Sequence, residues 1–202
     1  RFYYEPLMAA HPKELAPQPF LGKTMRAPIW ISSMTGGTAM AGTINRNLAQ
    51  ACAEFGLGMG LGSCRALLDS DEFFEDFNLR PIIGDSQPFY ANLGIAQVEQ
   101  LLAKGQGEKI LALVHKLRAD GLFIHVNPLQ EWLQPEGDAI TRPPIETIQQ
   151  CLELGAKIIV KEVGQGMGPE SLKALLKLPL AAVDFAAHGG TNFSRLELLR
   201  DS

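Results

Sequence analysis

The sequence predicts an α/β fold organised as a (β/α)8 barrel, with about six of its eight strand-helix units present, and three observations carry that reading. Short apolar runs alternate with amphipathic segments along the whole chain, and nearly every run ends in a polar or glycine-rich loop. The 202 residues, 46% of them hydrophobic, can bury a sizeable core but fall short of the roughly 250 residues of a complete barrel. Repeated strand and helix imply a parallel sheet with helical crossovers, and polar loops at successive strand ends imply one shared mouth. A doubly wound sheet would instead gather its site at one switch point behind a glycine fingerprint, and Gly36-Gly37 does not extend to that fingerprint. Residues 1–202 therefore read as a single domain in which two further units are absent, or else the sheet is open or completed by another copy, and absence is the favoured reading.

In chain order, the proline-rich opening at 11–19 reads as an extended lead-in, because proline disfavours helix at the residue before it. Strands are expected at 28–33, 58–61, 88–92, 121–126, 157–163 and 182–187. Each is a short run of apolar residues of the kind buried in a parallel sheet. Between the fourth and its predecessor, Ile110, Leu113, Val114 and Leu117 recur with the spacing of one helix face. After the last, residues 193–199 form an amphipathic segment, and no interdomain linker or low-complexity stretch interrupts the pattern.

The formal charge of −4 comes without a basic run, which argues against nucleic acid as a partner. The apolar stretches are far shorter than the ~20 residues of a membrane helix, and the first residues lack the apolar core of a signal peptide. A soluble, cytoplasmic protein is expected. Cys52, Cys64 and Cys151 are odd in number and lack metal-ligand spacing, so they read as reduced thiols serving as small buried hydrophobes.

The segment from His125 through Asn127, Gln130 and Glu131 sets an imidazole, two carboxamides and a carboxylate at the end of an apolar strand. His125 and Asn127, two apart on an extended chain, should share a side. A carboxylate beside neutral donors suits hydrated Mg²⁺, which completes its shell with water and phosphate oxygens. Lys161 lies within the apolar run Ile158-Ile159-Val160, where a cation needs Glu162, Asp184 or a ligand at the mouth. Adjacent strand residues face opposite ways, which favours a ligand, and an ammonium there suits the N1–C2=O edge of a reduced flavin. Gly36-Gly37 and Gly189-Gly190 would let backbone N–H groups approach a planar or anionic ligand, although tight turns use such pairs routinely. Thr191 and Asn192 would open a helix able to receive an anion. Arg65 could bind phosphate, Arg46 and Arg195 read as solvated surface residues, and Trp30 and Trp132 are given no chemistry.

Six segments in order, 32–37, 58–65, 91–94, 125–131, 160–164 and 189–193, closely resemble the type 2 isopentenyl-diphosphate isomerases. The His-x-Asn-x-x-Gln-Glu segment is the most distinctive of them. That resemblance implies a TIM barrel carrying FMN, whose N-terminal segment would lie before Arg1 and whose last two units would follow Ser202, with Mg²⁺ required, NAD(P)H as the usual reductant, and a homo-oligomeric assembly. It implies interconversion of isopentenyl and dimethylallyl diphosphate. By motif, Ser33, Met34, Thr35, Ser63, Asn92, Lys161 and Thr191 would contact FMN; Ser63, Arg65, His125, Asn127 and Gln130 would contact the substrate or its diphosphate; Glu131 would hold the metal. The catalytic group is then His125, Asn127 and Gln130. The alternatives are an FMN-dependent barrel oxidoreductase, for which His188 is the superficial candidate base, and a non-catalytic flavin- or phosphate-binding remnant.

Overall fold

Side chains alternate across a strand, and that alternation gives the sheet one face for helices and one for a cavity. The computed structural model describes residues 6–8, 10, 14, 16–33, 35, 39–186 and 190–200. A short antiparallel hairpin, β1 (Gln18–Phe20) and β2 (Lys23–Met25), comes first. Six parallel strands follow: β3 (Trp30–Ile31), β4 (Gly58–Gly60), β5 (Phe89–Gly94), β6 (Gly121–His125), β7 (Ile158–Lys161) and β8 (Ala182–Asp184). Each pairs with the next in sequence. All six predicted strands are found, and an unpredicted hairpin begins at the end of the proline-rich lead-in and extends to Met25.

The helices are α1 (Ala39–Phe55), α2 (Phe74–Phe77), α3 (Arg80–Ile83), α4 (Ile95–Ala103), α5 (Glu108–Lys116), α6 (Pro128–Leu133), α7 (Pro144–Leu152), α8 (Pro169–Leu175) and α9 (Phe193–Arg200). In α5 the predicted face is buried through Ile110, Leu113 and Val114. Glu108 in its first turn and His115 and Lys116 in its last complement the helix dipole. Helices α6, α7 and α8 begin with proline in the first turn, where its missing N–H has no intrahelical partner to lose. On the outer face of the sheet, Met59, Ala91, Leu93, Leu122, Ile124, Ile158 and Val160 join Cys52, Val98, Leu113, Ile148 and Cys151 of the helices in the main core. The cysteines are free and buried. No helix of the described residues is long and apolar enough to cross a membrane.

The inner face carries Tyr90, Phe123 and Ile159, with Trp30, Leu21 and Ala182 packed on them. Trp30 lies 5.9 Å from Phe123 and 6.1 Å from Tyr90, ring to ring. Phe20 of the hairpin meets Trp30 edge-on at 6.0 Å, and such a pair adds about 0.5–1.5 kcal/mol beyond its area. Below these rings Asp120 accepts from Lys23 Nζ (2.8 Å), Arg80 Nη2 (3.0 Å) and the Phe89 N–H (2.9 Å). Burial works against its charge, but those donors outweigh burial and hold the carboxyl below its ordinary range. Packing and charge thus fasten the hairpin at the N-terminal ends of the strands. The opposite ends stay open to ligands.

The expected (β/α)8 barrel is corrected here. The sheet is an open one of six strands in the order β3-β4-β5-β6-β7-β8, and no ladder joins β3 to β8. The edge strands are accordingly only half-buried, whereas β4, β5 and β7 are buried throughout. At their C-terminal ends a side-chain contact joins the two edges, Ser32 Oγ donating to Asp184 Oδ2 at 3.3 Å.

Candidate active site

The site forms where the strand alternation delivers polar side chains to the inner face just past the aromatic layer. Asn92 on β5, His125 on β6, Lys161 on β7 and Asp184 on β8 lie at this end, with His125 in register with Lys161 and Lys161 with Asp184. A cavity of about 260 Å³ opens over them, and seven predicted residues line it: Ser33, Thr35, Ser63, Asn92, His125, Gln130 and Lys161. A second cavity of about 560 Å³ shares Lys161 and continues past Trp30, Asp184 and Thr191. Met34, with Gly36-Gly37 and His188-Gly189, lies outside the described residues.

The loops reach this mouth through close backbone contacts. A Cβ at Gly62 would sit 2.1 Å from the Thr35 carbonyl oxygen, so only glycine lets the loop after β4 meet the loop after β3. Thr35 Oγ1 donates to Asn45 Oδ1, and Asn45 Nδ2 donates to the Asp76 carbonyl at 3.0 Å. Asn45 is buried and sets the threonine from α1. Asn192 starts α9 by accepting from the Arg195 N–H at 2.9 Å while its amide donates to the Gly164 carbonyl at 3.2 Å.

His125 is held in one tautomer. Asn92 Nδ2 donates to the Leu61 carbonyl at 2.9 Å, which turns Asn92 Oδ1 toward His125 Nδ1 at 2.7 Å. The oxygen can only accept, so Nδ1 carries the proton and Nε2 keeps a lone pair. Burial, and secondarily the Lys161 charge, push the imidazole down to about 4. It is neutral at pH 7.

Lys161 is buried, and its Nζ donates to the Glu162 carbonyl at 2.6 Å. The Glu162 carboxylate faces away, accepting the N–H groups of Gly164, Gln165 and Gly166 through Oε2 at 2.7, 2.6 and 2.9 Å. No described carboxylate forms an ion pair with Lys161. Burial lowers its pKa, opposed through space by Asp184 and Glu162. Among the described residues only that one hydrogen bond engages its three N–H donors.

β6 ends at His125, and Asn127 is buried at the start of α6 with φ −135°, ψ 45°. Asn127 Nδ2 donates to Gln130 Oε1 (3.2 Å) and Glu131 Oε1 (2.9 Å). Glu131 Oε2 accepts the Asp138 N–H at 2.7 Å. Gln130 lines the cavity, whereas its neighbour Glu131 is not among the lining residues. Among the described residues no three His, Cys, Asp or Glu side chains group as a metal site; Mg²⁺, which commonly takes one or two carboxylates plus water and phosphate, does not require such a group. Arg65, more than half exposed, pairs with Asp138 at 2.9 Å on the rim.

Several buried polar atoms lack partners among the described residues, Trp30 Nε1, Ser33 Oγ and Asn127 Oδ1 among them. An orphaned buried donor or acceptor costs about 1–3 kcal/mol, and Trp30 and Ser33 are among the residues that line the cavities. An aromatic floor, unpartnered donors and a spare ammonium fit a planar, electron-rich cofactor such as FMN. Sequence reasoning missed Asn45, Gln97 and Asp138. A polar residue on the buried face of a helix is the signal that marks the first two.

No family model matches the chain. The chain is similar to proteins named isopentenyl-diphosphate delta-isomerase, being 43% identical over 181 residues to that of Deinococcus radiodurans, 89% of this chain and 52% of the relative. Identity is 40% over 182 residues with that of Rickettsia prowazekii, covering 90% and 52%. With that of Mycolicibacterium gilvum it is 38% over 179 residues, covering 88% and 51%. The chain spans about half the length of the curated relatives it matches.

Proposed function

We propose that this chain carries the strand-end site of a flavin-dependent isopentenyl-diphosphate delta-isomerase, which interconverts isopentenyl and dimethylallyl diphosphate with reduced FMN and Mg²⁺, NAD(P)H serving as reductant. The observation that carries the reading is the convergence of Ser33, Thr35, Ser63, Asn92, His125, Gln130 and Lys161 on one cavity. Similarity of 38–43% to the named isomerases supports it.

In this reading Ser33, Thr35, Ser63, Lys161 and Thr191 hold the flavin. Reduced FMN supplies the proton exchange with the alkene. The Lys161 ammonium favours negative charge near it, because a cation released from water interacts more strongly in a low-dielectric site. Asn92 fixes His125, leaving Nε2 to accept a hydrogen bond or a proton from the ligand. Ser63 and Arg65 hold phosphate oxygens, and Asn127 and Gln130 orient the Glu131 carboxylate, which holds Mg²⁺.

The test uses the full-length protein, purified and examined for flavin absorbance, then assayed anaerobically with isopentenyl diphosphate, NADPH, FMN and Mg²⁺. Dimethylallyl diphosphate should form only when all are present. Turnover that is indifferent to flavin and Mg²⁺ would contradict the assignment.

A further inference from the structure

We propose that Asp138 is a positioning residue that holds Arg65 and Glu131 toward one diphosphate, an inference that rests on the isomerase reading. Helix α4 buries two polar side chains, Gln97 and Glu99, on a face where polar groups are costly unless partnered. Both are spent on the loop after α6. Gln97 Nε2 donates to Asp138 Oδ2 at 2.8 Å, and Gln100 Nε2 to Asp138 Oδ1 at 3.2 Å. Glu99 Oε1 accepts from the Thr141 N–H at 3.0 Å and from Thr141 Oγ1.

The Asp138 carboxylate is thus fixed on both oxygens independently of Arg65, whose Nη1 joins Oδ2 at 2.9 Å. Arg65 itself is 59% exposed, and an exposed ion pair alone contributes little. A carboxylate anchored by two amides on a helix is different, because it presets where the guanidinium rests and lowers the entropy lost when an anion is bound. Most of the five guanidinium donors stay free for phosphate oxygens. Through its N–H the same residue holds Glu131 Oε2 at 2.7 Å, while Asn127 holds Oε1. One continuous set of contacts therefore runs from the proposed phosphate cation to the proposed metal carboxylate.

The test measures binding of inorganic pyrophosphate with Mg²⁺ to the full-length protein by calorimetry, at matched flavin content, for wild type, Arg65→Met, Asp138→Asn and the double variant. Asp138→Asn keeps shape and one acceptor. It should weaken binding roughly 10-fold, the scale of outer partners at metal sites, and Arg65→Met should then cost much less than it does in wild type. Unchanged or tighter binding in Asp138→Asn, with Arg65→Met still weakening it, would overturn the positioning role and leave the diphosphate reading standing. Absence of pyrophosphate binding to wild type, or no effect of Arg65→Met, would overturn both. If Asp138→Asn fails to fold, Gln97→Met removes an anchor while keeping the charge and carries the same expectations.

Discussion

Replacing Asn92 by aspartate should charge His125 in the pH range where it is now neutral. In the native site Asn92 Oδ1 lies 2.7 Å from Nδ1, and burial followed by Lys161 brings the imidazole from 6.5 to about 4. A carboxylate at that distance favours imidazolium, and an opposite charge within about 4–6 Å shifts a group by roughly 1–3 pH units. His125 should therefore titrate between about 5 and 7 in the variant. The sign of the stability effect follows from linkage. A histidine depressed in the folded state binds protons more readily when unfolded, so stability is fully present above 6.5 and is lost as pH falls toward 4. The difference is at most about 3.5 kcal/mol at about 1.4 kcal/mol per pH unit. In Asn92→Asp that acid-side loss should shrink, although orphaning the Leu61 carbonyl lowers stability at neutral pH by about 1–3 kcal/mol. Imidazole ¹⁵N shifts recorded from pH 4 to 8, with urea unfolding at both ends, measure both quantities. A wild-type His125 that titrates near 6.5 would refute the burial account, and a neutral form protonated on Nε2, or a variant whose His125 stays at about 4, would refute the Asn92 contact at Nδ1.

Lys161→Met should fold and bind oxidised FMN, yet bind reduced FMN less well, so the midpoint potential falls; an unchanged potential at full flavin occupancy would remove Lys161 from the flavin. Gly62→Ala should push the loop after β4 off Thr35, since the new Cβ would stand 2.1 Å from a backbone oxygen, and chemical denaturation should register a loss of about 1–3 kcal/mol. Glu131→Gln should retain fold and flavin but raise the Mg²⁺ requirement and slow turnover by roughly 10–100-fold. Coincident Mg²⁺ titrations of variant and wild type would make Glu131 a structural carboxylate.

Local signals account for much of what the sequence disclosed. The run 121–126 became Gly121–His125 and 157–163 became Ile158–Lys161, because apolar content bounded by glycine and polar residues marks a buried strand without tertiary help. Closure was not legible, since it depends on whether the last strand finds a partner, and β8 has none beyond β7. The hairpin at Gln18–Met25 hid behind prolines and is held by packing of Phe20 on Trp30, a contact no local pattern reveals. At the site, His125 and Lys161 announced themselves as polar residues in apolar runs. Asp138 did not, because its partner Gln97 is 41 residues away and an aspartate after glycine reads as an ordinary loop residue.

The most direct test of the central claim follows isopentenyl diphosphate turnover by the reduced full-length enzyme in deuterated water, with flavin absorbance monitored throughout. A site that binds a diphosphate beside a reduced flavin and exchanges protons should place solvent deuterium in dimethylallyl diphosphate while the flavin spectrum stays reduced over many turnovers. Stoichiometric oxidation of flavin with each product, or turnover by the oxidised enzyme at the same rate, would contradict it.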